Sequence, residues 1–176
     1  TPKPSSAASD VYKRQTKSIA INSLLQRRPL SNCVVAFSLS PAKIAKSLDS
    51  KAPSISRRIS AIKQLAAAGW KIGLRFDPLI YTSDWKELYA SLFTDIMDGL
   101  DPSMIHSISY GPLRFPKKMY KKAASLHPEH KLFAFPMEDT KGVVSYGTKI
   151  ETQMHDFLKS ELNKYTSEKK IFQCTI

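Results

Sequence analysis

The chain has 176 residues, 42% of them hydrophobic and 24% charged, which suits one domain with a core and excludes wholesale disorder. No apolar run approaches the roughly 20 residues that cross a bilayer, and two cysteines, Cys33 and Cys174, exclude a disulfide-built scaffold, a four-thiolate zinc site or a complete iron–sulfur cluster. A formal charge of +12 favours polyanionic partners such as nucleic acid.

Residues 1–15, TPKPSSAASDVYKRQ, are small, polar and aperiodic. They lack the apolar centre of a secretory leader, so a cytoplasmic protein with no membrane partner is expected. The string SSAASDVYKRQ resembles translated sequencing-adaptor read-through. Residues 1–15 are therefore read as a non-native or disordered leader and 16–176 as the folded unit, with the natural chain beginning further upstream.

Beyond the leader, strand and helix patterns alternate. The β-branched run Val34 to Leu39 reads as a buried strand closed by Pro41. Ser54 is placed to cap a helix with Ile55, Ile59, Ile62 and Leu65 on one face, stopped by Gly69. Lys71 to Phe76 is the next strand, ended by Asp77-Pro78. Asp84 and Glu87 have capping-box spacing, and Trp85, Leu88, Tyr89, Leu92, Phe93 and Ile96 form a helical stripe. Met104 to Tyr110 reads as a third strand, with a turn at Gly111-Pro112. Pro116 suits the first turn of a short basic helix through Leu126. Leu132 to Phe135 reads as extended. Thr148 to Tyr165 gives an amphipathic helix with Ile150, Met154, Phe157, Leu158, Leu162 and Tyr165 inward, and Lys170 to Thr175 a last strand.

This alternation argues an α/β fold with a parallel sheet. A doubly wound sheet and part of a barrel both fit it, and three or four strands are too few to close a barrel of eight. No Gly-rich loop follows any strand, so neither a dinucleotide fingerprint nor a P-loop is present. His106, His127, His130 and His155 show no metal-ligand spacing, and both cysteines read as structural.

Four stretches carry a family resemblance. They are Thr16-Lys17-Ser18 followed by Leu24-Leu25; Phe37-Ser38-Leu39-Ser40-Pro41; Ala52-Pro53-Ser54, its helix, and Gly69-Trp70-Lys71-Ile72-Gly73-Leu74-Arg75-Phe76-Asp77-Pro78-Leu79-Ile80 with Trp85; and Gly111-Pro112-Leu113-Arg114-Phe115. In order and spacing they resemble the spore photoproduct lyase family of radical S-adenosylmethionine proteins. The resemblance implies the C-terminal half of a partial (β/α) TIM-type barrel, truncated. It also implies two cofactors, S-adenosylmethionine and a four-iron four-sulfur cluster. The family's CxxxCxxC cluster loop is absent from this sequence and is expected upstream of Thr16, so the strand holding Ser38 is expected at an open sheet edge. No metal ligand is assigned in this chain, and the chain alone is expected to be inactive.

By the same resemblance, Lys17 matches the lysine that reaches the methionine carboxylate of S-adenosylmethionine. Ser38 matches the serine that hydrogen-bonds the same end. Asp77 either lines the adenosine side or caps the turn with Pro78. Arg114, Lys117, Lys118, Lys121 and Lys122, with Tyr120 interleaved, either hold DNA phosphates or form a solvated basic face. Tyr146 matches the tyrosine implicated in radical return. Its neighbour departs from the family: Ser145 stands where established members carry arginine.

The resemblance implies repair of thymine dimers in DNA by radical chemistry in the intact parent, a lyase, with DNA and a reducing protein as partners. The alternatives are a family member acting on another substrate and a basic nucleic-acid-binding module without chemistry.

Overall fold

The structure is a computed structural model that describes residues 12–49, 51–133, 135 and 137–174. The first half runs β1 (Tyr12–Thr16), α1 (Asn22–Leu25), β2 (Cys33–Ser38), α2 (Ala42–Leu48), α3 (Ile55–Ala67), β3 (Lys71–Leu79) and α4 (Trp85–Met97). The second half runs β4 (Ile105–Pro112), β5 (Arg114–Pro116), α5 (Lys117–Leu126), β6 (Glu138–Thr140), β7 (Val143–Ser145), α6 (Thr148–Asn163) and β8 (Ile171–Gln173).

Five of the strands form a parallel sheet in the order β1-β2-β3-β4-β8. Spatial order follows chain order without reversal. A doubly wound sheet reverses direction at a switch point, so that alternative drops out and an open arc of a (β/α) barrel remains.

The arc has two unlike faces, because side chains alternate along each strand and register partners share a face. Val35 and Phe37 pair with Ile72 and Leu74, and Leu74 and Phe76 with Ile108 and Tyr110. This apolar face lies under the helices: the Phe76 ring meets Phe93 of α4 edge-on at 5.0 Å, and Tyr110 touches His155 of α6. The other face carries Gln15, Ala36, Ser38, Gly73, Arg75, Ser107 and Ser109, which are small or polar. Arg75 lies along it and donates from Nη2 to Ser107 Oγ at 3.0 Å. A parallel sheet buried in apolar layers on both sides reads as continuous Val/Ile/Leu; the alternation in Ile72-Gly73-Leu74-Arg75-Phe76 marks the wall of a polar lumen instead.

The sheet begins earlier than the sequence reading allowed. β1 takes up Tyr12 to Gln15 of the segment set aside as a leader, and residues 1–11 lie outside the described residues. The parallel ladder from Tyr12↔Cys33 to Thr16↔Phe37 supplies partners for one side of β2, so β2 is interior and β1 is the edge. The expectation of an open edge at Ser38 is corrected accordingly. Amide exchange should therefore be slower across Val34 to Ser38 than across β1, by about tenfold or more, since edge strands open locally. Exchange in β2 as fast as in β1 would contradict this pairing.

Other differences have local causes. β3 runs through Asp77-Pro78, because a register shift between Phe76 and Leu79 lets the proline, which has no N–H, bypass the ladder. β4 likewise continues through Gly111-Pro112, with Pro112 opposite Leu79. The capping box at α4 does not form: Asp84 accepts from Lys43 Nζ at 2.6 Å and from Thr82 Oγ1 at 3.0 Å instead. Ser54 does cap α3, accepting from the Arg57 N–H at 3.4 Å. Lys131–Phe133 is a 3-10 turn where an extended piece was expected, and Ala134 and Thr175 lie outside the described residues. α1, α2 and a small antiparallel sheet, β5-β7-β6, were not anticipated.

Candidate functional site

The carboxyl ends of the arc gather the polar residues. Lys17 directly follows β1, Ser38 ends β2, Asp77 lies near the end of β3, and Arg114 opens β5 just past β4. In barrels of this kind the strand ends and the loops after them build the site, while the interior layers hold the fold. Lys17, Ser38 and Asp77 line one cavity of about 190 Å³, with Asp49 beside them and Leu39, Ile44, Leu48, Pro78 and Ile80 as apolar walls. A second cleft of about 390 Å³ shares Ile44, Leu48 and Ile80 with it and extends along Lys43, Tyr81, Thr82, Leu88 and Lys131.

Each polar group has a defined partner. Lys17 Nζ donates to Asp49 Oδ1 at 2.5 Å, with the lysine side chain half exposed. Ser38 Oγ accepts from Gln15 Nε2 at 2.9 Å. Asp77 Oδ2 accepts from Arg114 Nη2 at 3.0 Å, and Arg114 Nη1 also donates to the Pro112 carbonyl at 3.1 Å. Asp77 borders the cleft beside Pro78, and its carboxylate is held by Arg114. That pair also sets Arg114 at the strand ends, apart from the lysines of α5.

Burial works to raise the Asp49 carboxyl, but the hydrogen bonds and charges of Lys17 and Arg58 outweigh it and hold its pKa below the ordinary carboxylate value. Sequence reasoning missed both Asp49 and Arg58. The available signal was a charge on an apolar stripe: Arg58 falls three residues after Ile55 and four before Ile62, on the buried side of α3.

The basic segment is divided. Lys117 pairs with Asp139 of β6 at 2.6 Å, while Lys118, Lys121 and Lys122 are exposed. Tyr120 is partly buried and packs on Phe115 and Phe133, at 6.1 and 5.6 Å between ring centroids, so its ring belongs to a local aromatic cluster. Tyr146 is interior, at 2% exposure. Its hydroxyl accepts from the Tyr81 N–H at 3.0 Å, and burial pushes its pKa up to about 12. Ser145 lies opposite both Arg114 and Glu138 in the small sheet.

The donor set fits the amino-acid end of S-adenosylmethionine: an ammonium and a hydroxyl for a carboxylate, with apolar walls alongside. It does not fit an iron–sulfur cluster. Cys33 opens β2 and Cys174 follows β8, so the two thiols lie at opposite ends of a parallel sheet. Among the described residues no three His, Cys, Asp or Glu side chains gather as a metal site, and no helix is long and apolar enough to cross a membrane.

The comparisons with known proteins agree with this architecture. A variant spore photoproduct lyase with one cysteine changed to alanine superposes with a TM-score of 0.76 at 18% identity, covering 92% of this chain and 49% of that one. A doubly substituted variant with bound AdoMet and dinucleoside spore photoproduct superposes at 0.71, with the same identity and coverage. These matches establish the fold. In sequence, the spore photoproduct lyase of Clostridium acetobutylicum is 25% identical over 138 residues, covering 77% of this chain and 39% of the relative. The chain thus spans about half the length of the solved relatives and less of the curated one. The family model for spore photoproduct lyase matches residues 8–173, and with nearly the whole length covered, the chain belongs to the spore photoproduct lyase family.

Proposed function

We propose that this chain is the carboxyl-terminal part of a radical S-adenosylmethionine lyase that repairs thymine dimers in DNA, and that its strand ends hold the cofactor's amino-acid end. The convergence of Lys17, Ser38 and Asp77 in one cleft at the carboxyl ends of β1, β2 and β3 carries this reading.

Lys17 presents an ammonium to the methionine carboxylate and Ser38 a hydroxyl beside it. Asp77, paired with Arg114, borders the same cleft and would face the cofactor's adenosine. When bound, S-adenosylmethionine would be held at its amino-acid end by Lys17 and Ser38 and would supply the capacity for hydrogen-atom abstraction. The two cysteines of this chain cannot ligate the family's four-iron cluster, so its ligands would have to come from elsewhere in the intact parent. Lys118 and Lys121, exposed on α5, meet DNA phosphates, while Lys117 is tied to Asp139 and Arg114 to Asp77. By the family resemblance Tyr146 would return a hydrogen atom from its phenol and be left as a tyrosyl radical; it is buried and outside the linings of both clefts.

One observation favours a second reading, in which the same cofactor serves another substrate. Ser145 is short and uncharged where the family carries a guanidinium, and it neighbours Tyr146 directly. The test is anaerobic turnover by the reconstituted full-length protein on dinucleoside spore photoproduct, with S-adenosylmethionine and a chemical reductant. Conversion to two thymines that depends on S-adenosylmethionine supports the first reading. Cleavage of S-adenosylmethionine without conversion supports the second. Failure to bind S-adenosylmethionine at all overturns both and leaves a basic nucleic-acid-binding module.

A further inference from the structure

Behind the cleft lies a buried charge that no step above uses. Arg58, in the second turn of α3, is 1% exposed. Its guanidinium spans three groups. Nε donates to the Pro53 carbonyl at 2.9 Å, and Nη1 to the Ser38 carbonyl at 3.1 Å. Nη1 and Nη2 both reach Asp49 Oδ2, at 3.2 and 3.3 Å. The other oxygen of Asp49 holds Lys17. One side chain therefore touches the backbone of one proposed cofactor residue and, through Asp49, the ammonium of the other.

We infer that Arg58 is a positioning residue for carboxylate recognition: it neutralises Asp49 so that Lys17 can serve the ligand, and it pins Ser38 in place. The inference rests on the cofactor reading proposed above.

Charge bookkeeping gives the reason. Lys17 and Asp49 alone sum to zero, and a lone aspartate at 2.5 Å competes directly with any incoming carboxylate for the lysine. With Arg58 included the group carries +1. Asp49 then keeps a full counter-charge when Lys17 turns to a ligand, so the handover leaves no uncompensated carboxylate. The fork geometry of the guanidinium suits this task, since two donors engage one oxygen while a third fixes the Ser38 carbonyl. Desolvation makes the arrangement effective: Arg58 is sealed from water, whereas the Lys17 side chain is 47% exposed and free to change partner.

The test compares two ligands on the anaerobically reconstituted full-length protein. S-adenosylmethionine has the amino-acid end; 5′-methylthioadenosine lacks it. Arg58→Met should weaken S-adenosylmethionine by about tenfold and leave 5′-methylthioadenosine unchanged, as removing one charge from a carboxylate site predicts. Adding Asp49→Asn to Arg58→Met removes the competing carboxylate, restores +1, and should recover affinity to within about threefold. The double variant also replaces a buried ion pair with neutral groups, a change that folds commonly tolerate. Arg58→Lys retains the charge but not the fork and covers the case in which the single methionine variant does not fold; it should weaken S-adenosylmethionine less than Arg58→Met does and leave 5′-methylthioadenosine unchanged.

Equal weakening of both ligands, or no recovery in the double variant, would make Arg58 merely structural and overturn the inference. The two proposals fail separately. If Lys17→Ala weakens S-adenosylmethionine but Arg58→Met does not, this inference alone is wrong. If Lys17→Ala leaves affinity unchanged, the cofactor reading beneath it is wrong.

Discussion

Replacing Lys17 with alanine should weaken S-adenosylmethionine binding about ten- to a hundredfold in the reconstituted full-length protein. A hydrogen bond to a charged group is worth about 1.5–3 kcal/mol, and each 1.4 kcal/mol is a factor of ten. The effect should be confined to the ligand. Lys17 sits on the segment after an edge strand, half exposed, and its loss leaves Asp49 still compensated by Arg58. Partly exposed ion pairs contribute about 1 kcal/mol or less, so thermal unfolding should move little. Ser38→Ala removes a neutral donor and should cost only about 0.5–1.5 kcal/mol of binding. The ranking matters as much as the sizes, because a lysine and a serine serving only the fold would leave ligand affinity unchanged in both variants. Equilibrium titration of the two proteins decides it.

The largest stability loss is expected at Phe93. This ring is fully buried on α4, meets Phe76 of β3 edge-on at 5.0 Å, and lies 6.2 Å from Tyr89 between centroids. Tyr89 in turn accepts the Ile80 N–H at 3.0 Å, where the chain leaves β3 beside the cleft. Phe93→Ala removes the contact that seats α4 on the apolar face of the arc. Truncating a buried phenylalanine costs about 3–5 kcal/mol, against a total of about 5–15 kcal/mol for a typical domain. Urea unfolding of the chain should show a much lower midpoint with an unchanged slope. Lys86→Ala, on the exposed side of the same helix, should stay within about 0.5 kcal/mol. A loss below about 1 kcal/mol for Phe93→Ala would mean that α4 does not pack as described.

The elements that could be read from sequence were those whose periodicity reports burial. The stripe Ile55-Ile59-Ile62-Leu65 is buried, and of Trp85, Leu88, Tyr89, Leu92, Phe93 and Ile96 all but the half-buried Leu88 are buried as their spacing required. β2, β3 and β4 followed from β-branched and apolar runs between turn residues. Short elements escaped, because three-residue strands such as β5, β6 and β7 have no room to show a period. α2 escaped for a related reason: it has seven residues, and Pro41 precedes it without a side-chain cap. β1 was lost because its polar sequence looks like a leader, whereas its place is fixed by the free side of β2.

The candidate site was legible residue by residue, but its wiring was not. Lys17 and Ser38 could be named through the family resemblance and Asp77 from its place at a strand end, and the strand order brings them to one end. Their partners lie too far along the chain for any local pattern: Asp49 is 32 residues from Lys17, and Arg114 is 37 from Asp77. The same blindness affected Tyr120, whose packing on Phe115 and Phe133 no local pattern announced. Spacing shows which side chains share a helix face, not which distant element covers that face.

The most direct test is a crystal structure of the full-length protein with S-adenosylmethionine bound. The account predicts the methionine carboxylate within about 3 Å of Lys17 Nζ, with Ser38 Oγ at the same end of the ligand and Asp49 retained by Arg58. A methionine end lodged elsewhere, for instance in the larger cleft along Lys43 and Tyr81, with Lys17 still paired to Asp49, would contradict it.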